Sequence, residues 1–220
     1  EFIERYAVEE GNKETMAVNE SAQKLIETAE AEEGYLEKKS NASLDSKTAN
    51  AGSANFTKYW RDVYPQFQGQ AWCAAFVSWC FMKAFGLEAA KKLLKHWPFV
   101  YCPTLAGMTT NKTPRVLSVI LFFRHGVYGH TGIVVAVEGN KITTLEGNTS
   151  GANGIIENGG GVCRKVYDRN TLSGNTKYFM PDYSILTSTA DSKSEEGTGV
   201  SKYIVGSGSV SLKHFLVGAK

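Results

Sequence analysis

Apolar and polar positions change their spacing once, and sharply, along this chain. In the N-terminal stretch, rich in Glu, Ala and Lys, Leu25, Ile26 and Ala29 recur on one helical face, which predicts a helix over 21–36 interrupted at Gly34. The acidic run 30–33 reads as the solvated face of that helix. Residues 41–55 are small and polar, so they read as loop, and an aromatic stretch (Phe56, Tyr59, Trp60, Tyr64, Phe67) follows. Cys73, Phe76, Val77, Cys80, Phe81 and Ala84 keep the i, i+3, i+4, i+7 spacing, which predicts a helix over 72–85 stopped by Gly86. A shorter helix is expected over 87–96, closed by Trp97-Pro98. From Arg115 onward the pattern becomes β: 116–123, 129–138, 141–146, 161–167 and 177–180 are short β-branched or aromatic runs separated by Gly, Asn and Asp. Helices first and strands afterwards predict an α+β domain with an antiparallel sheet.

That domain is expected over 19–186, preceded by an N-terminal extension, 1–18. A Ser/Thr/Glu/Gly-rich linker, 187–201, and a C-terminal stub, 202–220, follow it. Charge removes several kinds of partner. The 24 Lys+Arg against 22 Asp+Glu leave a formal +2, far from the basic excess of a protein that grips phosphate backbones, so no nucleic-acid partner is expected. No apolar run approaches the ~20 residues that span a bilayer, so no membrane insertion is expected. No secretory signal is legible at the start of the sequence. Four irregularly spaced cysteines make neither a disulfide framework nor a zinc site. On one helix, Cys73 and Cys80 would stand roughly 10.5 Å apart, beyond the ~7 Å limit for a bridge.

Three segments carry chemistry. Gln70-Ala71-Trp72-Cys73 leads into the strongest helix, Gly129-His130-Thr131-Gly132 opens a strand, and Glu146-Gly147-Asn148 closes the next one. A nucleophilic thiol needs a lowered pKa, and a helix N-terminus supplies it through unpaired N–H groups and the macrodipole. Cys73 has that place, whereas Cys80 is two turns inside on the apolar face. A histidine completes the ion pair, and a carboxylate or amide holds its tautomer. Cys80, Cys102 and Cys163 read as packing residues, His96 and His214 as surface residues, and His125 as a weak competitor for the base.

Together these segments resemble the CHAP family, the cysteine, histidine-dependent amidohydrolases/peptidases of bacterial and phage cell-wall lysis. The stretches that carry the likeness are AWCAAFVSWC (71–80), YGHTGIVVAVEGNKI (128–142) and LEGNTSG (145–151). The resemblance implies a papain-like fold and hydrolysis of an amide bond in bacterial peptidoglycan, at the N-acetylmuramoyl-L-alanine linkage or within the stem or cross-bridge. It implies Cys73 as nucleophile, His130 as general base and then acid, Glu146 as orienting carboxylate and Asn148 as a polar neighbour. The Cys73 backbone N–H is the first oxyanion donor to consider, and the Gln70 side chain is a second, with Gln66 and Gln68 equally placed. Trp72 and Tyr128 are candidate substrate-lining residues, with packing as the competing role. The expected chain is a monomer acting on the bacterial wall, whether secreted, phage-encoded or conjugation-associated. An NlpC-type wall peptidase and a non-catalytic wall-binding module are the alternatives; Glu146-Gly147-Asn148 argues against the first and an intact Cys/His/Glu set against the second.

Two departures and one geometric condition accompany that likeness. The family pattern V-G-D-I ahead of the first strand is here Val116-Leu117-Ser118-Val119, so the start of that strand is expected to differ. The region 59–70 offers Asp62 as its one carboxylate, too little for calcium, so neither a metal nor another cofactor is expected. The condition concerns strand register. A two-residue Gly139-Asn140 turn pairs residues whose numbers add to 279, which puts Glu146 on the opposite face from His130. A sum of 278 puts Glu146 opposite Gly132 and brings His130, Glu146 and Asn148 to one face. The proposed group therefore requires a three-residue loop or a bulge elsewhere in the hairpin.

Overall fold

The structure is a computed structural model and describes residues 13–186. The expected linker and stub, His214 and most of the expected extension lie outside the described residues. Helix α1 (Lys13–Glu30) runs unbroken across the boundary expected at residue 19. It buries Ala22, Leu25, Ile26 and Ala29, the face its spacing predicts. It ends at Glu30, earlier than expected, and Gly34 at φ 85° turns the chain toward the sheet, where Leu36 bridges Gly161. The acidic run corrects the reading of a wholly solvated face. Glu30 and Glu33 meet Arg164 at the surface, but Glu32 is buried, accepting from the Tyr59 hydroxyl at 2.8 Å and pairing with Lys58 at 2.7 Å.

Short helix α2 (Lys58–Val63) is capped by Thr57, whose hydroxyl accepts from the Trp60 N–H. Helix α3 (Cys73–Phe85) buries every residue from Cys73 to Phe81, and Gly86 at φ 81° separates it from α4 (Leu87–Leu94). A fifth helix, α5 (Cys102–Gly107), follows. With six residues each, α2 and α5 are too short to show a helical period in sequence.

Five strands follow: β1 (Val119–Arg124), β2 (Val127–Glu138), β3 (Lys141–Thr149), β4 (Gly161–Asp168) and β5 (Lys177–Phe179). They form one sheet in the order β4-β3-β2-β1-β5, antiparallel at every junction, as an α+β architecture requires. On one face Val119, Leu121, Ile133, Val135 and Leu145 join the core built on α1 and α3. On the other, Ile120, Phe122, Val134, Ile142, Tyr167 and Tyr178 form a smaller apolar cluster. Because both faces are covered, β1 reads as a continuous apolar run rather than an alternation.

Ahead of β1 the departure from the family pattern resolves into a tight turn. Leu117 takes φ 71°, a region that favours glycine, while Ser118 closes the turn by donating to the Arg115 carbonyl at 2.5 Å. The backbone N–H of Leu117 and carbonyl of Ser118 bond to Val134, so the turn is pinned to β2. At the far end of the described chain, the buried Tyr183 donates to the Leu117 carbonyl at 2.8 Å and closes the domain over the same turn.

The β2–β3 hairpin meets its register condition through a bulge. Glu138↔Lys141, Val137↔Ile142 and Ala136↔Thr143 add to 279, the register of a two-residue Gly139-Asn140 turn. Gly139, its first central residue, has φ 57°. Val134↔Thr144 and Ile133↔Leu145 add to 278. The extra residue is Val135, buried on the helix-side face, and it moves every later pair by one. No helix among the described residues is long and apolar enough to cross a membrane.

Candidate active site

The bulge brings His130 and Glu146 together. His130 Nε2 lies 2.8 Å from Glu146 Oε2, and both side chains are fully buried. Glu146 fits between the strands because Gly132 lies opposite it. A Cβ on Gly132 would stand 2.5 Å from Glu146 Cγ and 2.9 Å from the Leu145 carbonyl oxygen. Gly147 does the same service on the other face, where a Cβ would meet Phe76 at 2.5 Å. The two glycines of the motifs are therefore clearance positions, one for the carboxylate and one for α3.

Glu146 is held from three sides. Besides His130, the Thr144 hydroxyl donates to Oε1 at 2.5 Å and the Tyr167 hydroxyl to Oε2 at 3.2 Å. The His130 ring stacks on Phe122, with centroids 5.6 Å apart and planes 24° from parallel. These contacts fix the imidazole with Nε2 on the carboxylate, which leaves Nδ1 for the thiol. His130 Nδ1 is buried and has no hydrogen-bond partner. Tyr167 and Thr144 were absent from the sequence reading. Their signal is parity, since Thr144 alternates with Glu146 on β3 and Tyr167 pairs with Ile142 on the same face.

Cys73 is the first residue of α3, and His130 is among the groups that lower its pKa. Trp72, the residue before the helix, has no side-chain cap bond, so the first-turn N–H groups point out of the helix unclaimed by a cap. The Ala74 N–H is among those that face the sulfur. Cys102, at the start of α5, is buried in the core as its packing role predicts, and its thiol and that of Cys73 influence each other's titration.

Electrostatics divides these groups cleanly. The Cys102 hydrogen bond and then His130 hold Cys73 well below the usual thiol value, against the opposing effect of burial. Its hydrogen bond to Cys73, with burial, pushes the Cys102 thiol up. The two thiols are thus shifted in opposite directions. Burial pulls His130 down, but its bonds to Cys73 and Glu146 prevail and raise it from 6.5 to about 10. The two directions favour a thiolate on Cys73 and a charged imidazole on His130, the pair that attack on a carbonyl carbon would use.

The remaining candidates separate. Asn148 is buried at φ 57°, a conformation asparagine tolerates. Its amide donates to the Glu157 carbonyl at 3.2 Å, while its Oδ1 has no partner. Trp72 lines no cleft. It is fully buried, stacks on Tyr59 at 5.2 Å and donates to Glu37 at 2.8 Å, so it packs the base of the site. Tyr128 is half-buried two residues before His130, and its hydroxyl donates to the Asn175 carbonyl. Gln68 is consumed by two bonds to the Thr57 backbone, whereas the Gln70 and Gln66 side chains are exposed. His125 is exposed in the β1–β2 turn, away from this network, and His96 is exposed as well. Cys80 is buried among apolar residues, which push its thiol up, and half-buried Cys163 is raised for the same reason. Among the described residues, no group of three or more His, Cys, Asp or Glu side chains is arranged to hold a metal ion.

In comparison with known families, residues 65–148 match the family model of the CHAP domain. That segment is well under half of the 220 residues, but it contains Cys73, His130, Glu146 and Asn148. No curated protein and no solved structure gives a match.

Proposed function

We propose, for a chain that carries a CHAP domain over residues 65–148, that it cleaves an amide bond of bacterial peptidoglycan by thiol catalysis. The family is of the peptidoglycan-hydrolase type. The observation that carries the reading to this chain is the buried His130–Glu146 pair at 2.8 Å, together with Cys73 at the start of α3, whose pKa is lowered in part by that histidine. A thiol at the start of a helix facing an imidazole on an antiparallel strand also supports the papain-like arrangement that the resemblance implies.

The Cys73 thiolate attacks the amide carbonyl, and the Cys73 N–H, with the helix N-terminus behind it, receives the developing oxyanion. His130, protonated in the resting pair, gives its proton to the departing amine and leaves a thioester on Cys73. The neutral imidazole then takes a proton from water, which attacks the thioester and frees the acid. Glu146 holds the ring in one tautomer and stabilises its charged form. Tyr128 is the substrate-lining residue of this reading, and Gln70 remains available as a side-chain donor at the rim.

The test is digestion of purified peptidoglycan followed by mass spectrometry of the released fragments. A freed muramoyl lactyl group marks an N-acetylmuramoyl-L-alanine amidase, and a new amino-acid amine marks a stem or cross-bridge endopeptidase. Release of fragments by Cys73→Ala at the wild-type rate would overturn the mechanism.

A further inference from the structure

Residues 150–160 join β3 to β4 and bring one carboxylate beside the strand that carries His130. Hydrogen bonds to the backbone of this segment fix it at several points. Buried Lys165 donates to the Ser150 carbonyl at 2.8 Å and also to the Ala152 carbonyl. Arg124 donates to the Ile155 carbonyl at 2.7 Å, and the Asn148 side-chain amide to the Glu157 carbonyl at 3.2 Å. The Gly159 N–H returns to the Asn148 carbonyl at 2.9 Å. Glu157 is therefore placed by its main chain, which leaves its side chain free for another task.

That carboxylate lies over the α-carbon of Gly129, the residue before His130. A Cβ on Gly129 would stand 3.4 Å from Glu157 Cδ and from both carboxylate oxygens. Gly129 is the extra residue of a second bulge in β2, because Phe122 pairs with His130 and Phe123 with Tyr128. A bulge suspends the strict alternation of faces, so a group over Gly129 is not confined to the side opposite His130. Gly129 itself is exposed, so solvent reaches this point. The Glu157 side chain is 41 % exposed, and the Arg124 guanidinium stands 3.7 Å from it, beyond hydrogen-bond length. A second acceptor is close by: Asn148 Oδ1 is buried and without a partner, on the side chain whose amide meets Glu157. Two acceptors short of donors, one of them charged, fit a ligand that brings N–H groups and a positive charge.

We propose that Glu157 determines specificity by binding a protonated amine in the peptide part of the substrate, beside the bond that is cut. This rests on the peptidoglycan-cleaving reading above. The ammonium comes from the ω-amine of a diamino acid in an uncross-linked stem, or from the terminal amine of an open cross-bridge. Either source offers the same N–H donors and charge, and acetylation of either removes the charge. Glu157 takes no part in the bond-making steps, so its contribution belongs to binding.

The experiment uses two pairs of soluble muropeptides, one with the ω-amine free or acetylated and one with the cross-bridge amine free or acetylated. Binding to the full-length Cys73→Ala chain is measured by titration calorimetry, and cleavage is measured with the chain that keeps Cys73. Acetylating the recognised amine should raise Kd and KM roughly three- to tenfold, the range of a half-exposed charged contact, with kcat little changed. The pair that responds identifies the source of the amine. Glu157→Gln, made in both chains, should raise Kd and KM by the same factor for the free amine and leave the acetylated form unaffected. Equal affinity within both pairs, or no binding at all, overturns the proposal. So does a Glu157→Gln loss that is the same for free and acetylated forms, or one that falls on kcat alone. A chain that discriminates in binding but cleaves none of the four refutes the proposed function and leaves the amine subsite standing. Cleavage of all four at one KM does the opposite.

Discussion

The first turn of α3 and its middle carry the same side chain in opposite states. Cys73 meets unpaired N–H groups, an imidazole and a second thiol, and its pKa falls. Cys80, seven residues on, is enclosed by apolar residues and its pKa rises. Both are buried, so burial does not separate them. Helix position and the polar groups that converge there do. At the helix start the surrounding groups lower the thiol's pKa, and in the apolar middle burial raises it.

The largest effect should come from removing the reagent itself. Cys73→Ser should lower the rate of peptidoglycan cleavage by at least roughly 10⁴-fold while the thermal unfolding midpoint stays within a few degrees. Cys80→Ala should do the reverse, keeping the rate within twofold and costing about 1 kcal/mol of stability for a small cavity. Equal losses of activity in the two variants would break the comparison. Next in size is Glu146→Gln, expected to slow turnover roughly 10²–10⁴-fold through loss of ring orientation. Gly132→Ala should act in the same direction, because its Cβ displaces the carboxylate it faces. Overpacking there costs about 1–3 kcal/mol, readable by chemical denaturation.

The pH dependence follows from the direction of each shift. His130 is raised, so its charged form contributes fully below 6.5 and is lost as pH rises through about 10. Cys73 is lowered, so the thiolate contribution is complete above the ordinary thiol value of 9.0 and fades as pH falls through its depressed value. Activity should therefore be flat through neutrality, with the alkaline limb near pH 10. In Cys73→Ala the thiolate that helps to raise His130 is gone, and NMR titration should show the imidazole pKa moving down. An unmoved value would mean that the two groups do not pair. The smallest effects belong to the residues around Glu146. Tyr167→Phe and Thr144→Val each remove one bond to a carboxylate and should lower kcat by roughly tenfold or less with KM unchanged. If KM moves instead, they contact substrate rather than position the acid.

Much of the site was legible in the sequence, because thiol, imidazole and carboxylate each sit beside an element that announces itself by period. The strands over 129–138 and 161–167 agree with β2 and β4 to within two residues. Parity even showed that a plain two-residue hairpin could not serve, although the position of the compensating bulge was hidden. Val135 belongs to an unbroken apolar run, and nothing in Ile133-Val134-Val135-Ala136 marks where the register shifts. Glu32 was misread for another reason: its partners, Lys58 and Tyr59, lie on a helix too short for local pattern to reveal. Trp72 looked like a cleft residue because aromatic side chains serve both roles, and Glu37, which holds its ring nitrogen, comes from a separate segment.

The extra residue at Val135 also bears on how this chain can change length. Deleting Val135 itself would take the bulge out and leave Val134↔Thr144 and Ile133↔Leu145 facing each other as before, so Glu146 would stay on the same side of the sheet as His130. Adding or deleting a residue while the bulge is kept would instead carry Glu146 to the far side, with most of the apolar core still plausible. In homologous chains aligned over this region, an even interval from imidazole to carboxylate should go with a bulge or a three-residue loop, and an odd interval with a plain two-residue turn.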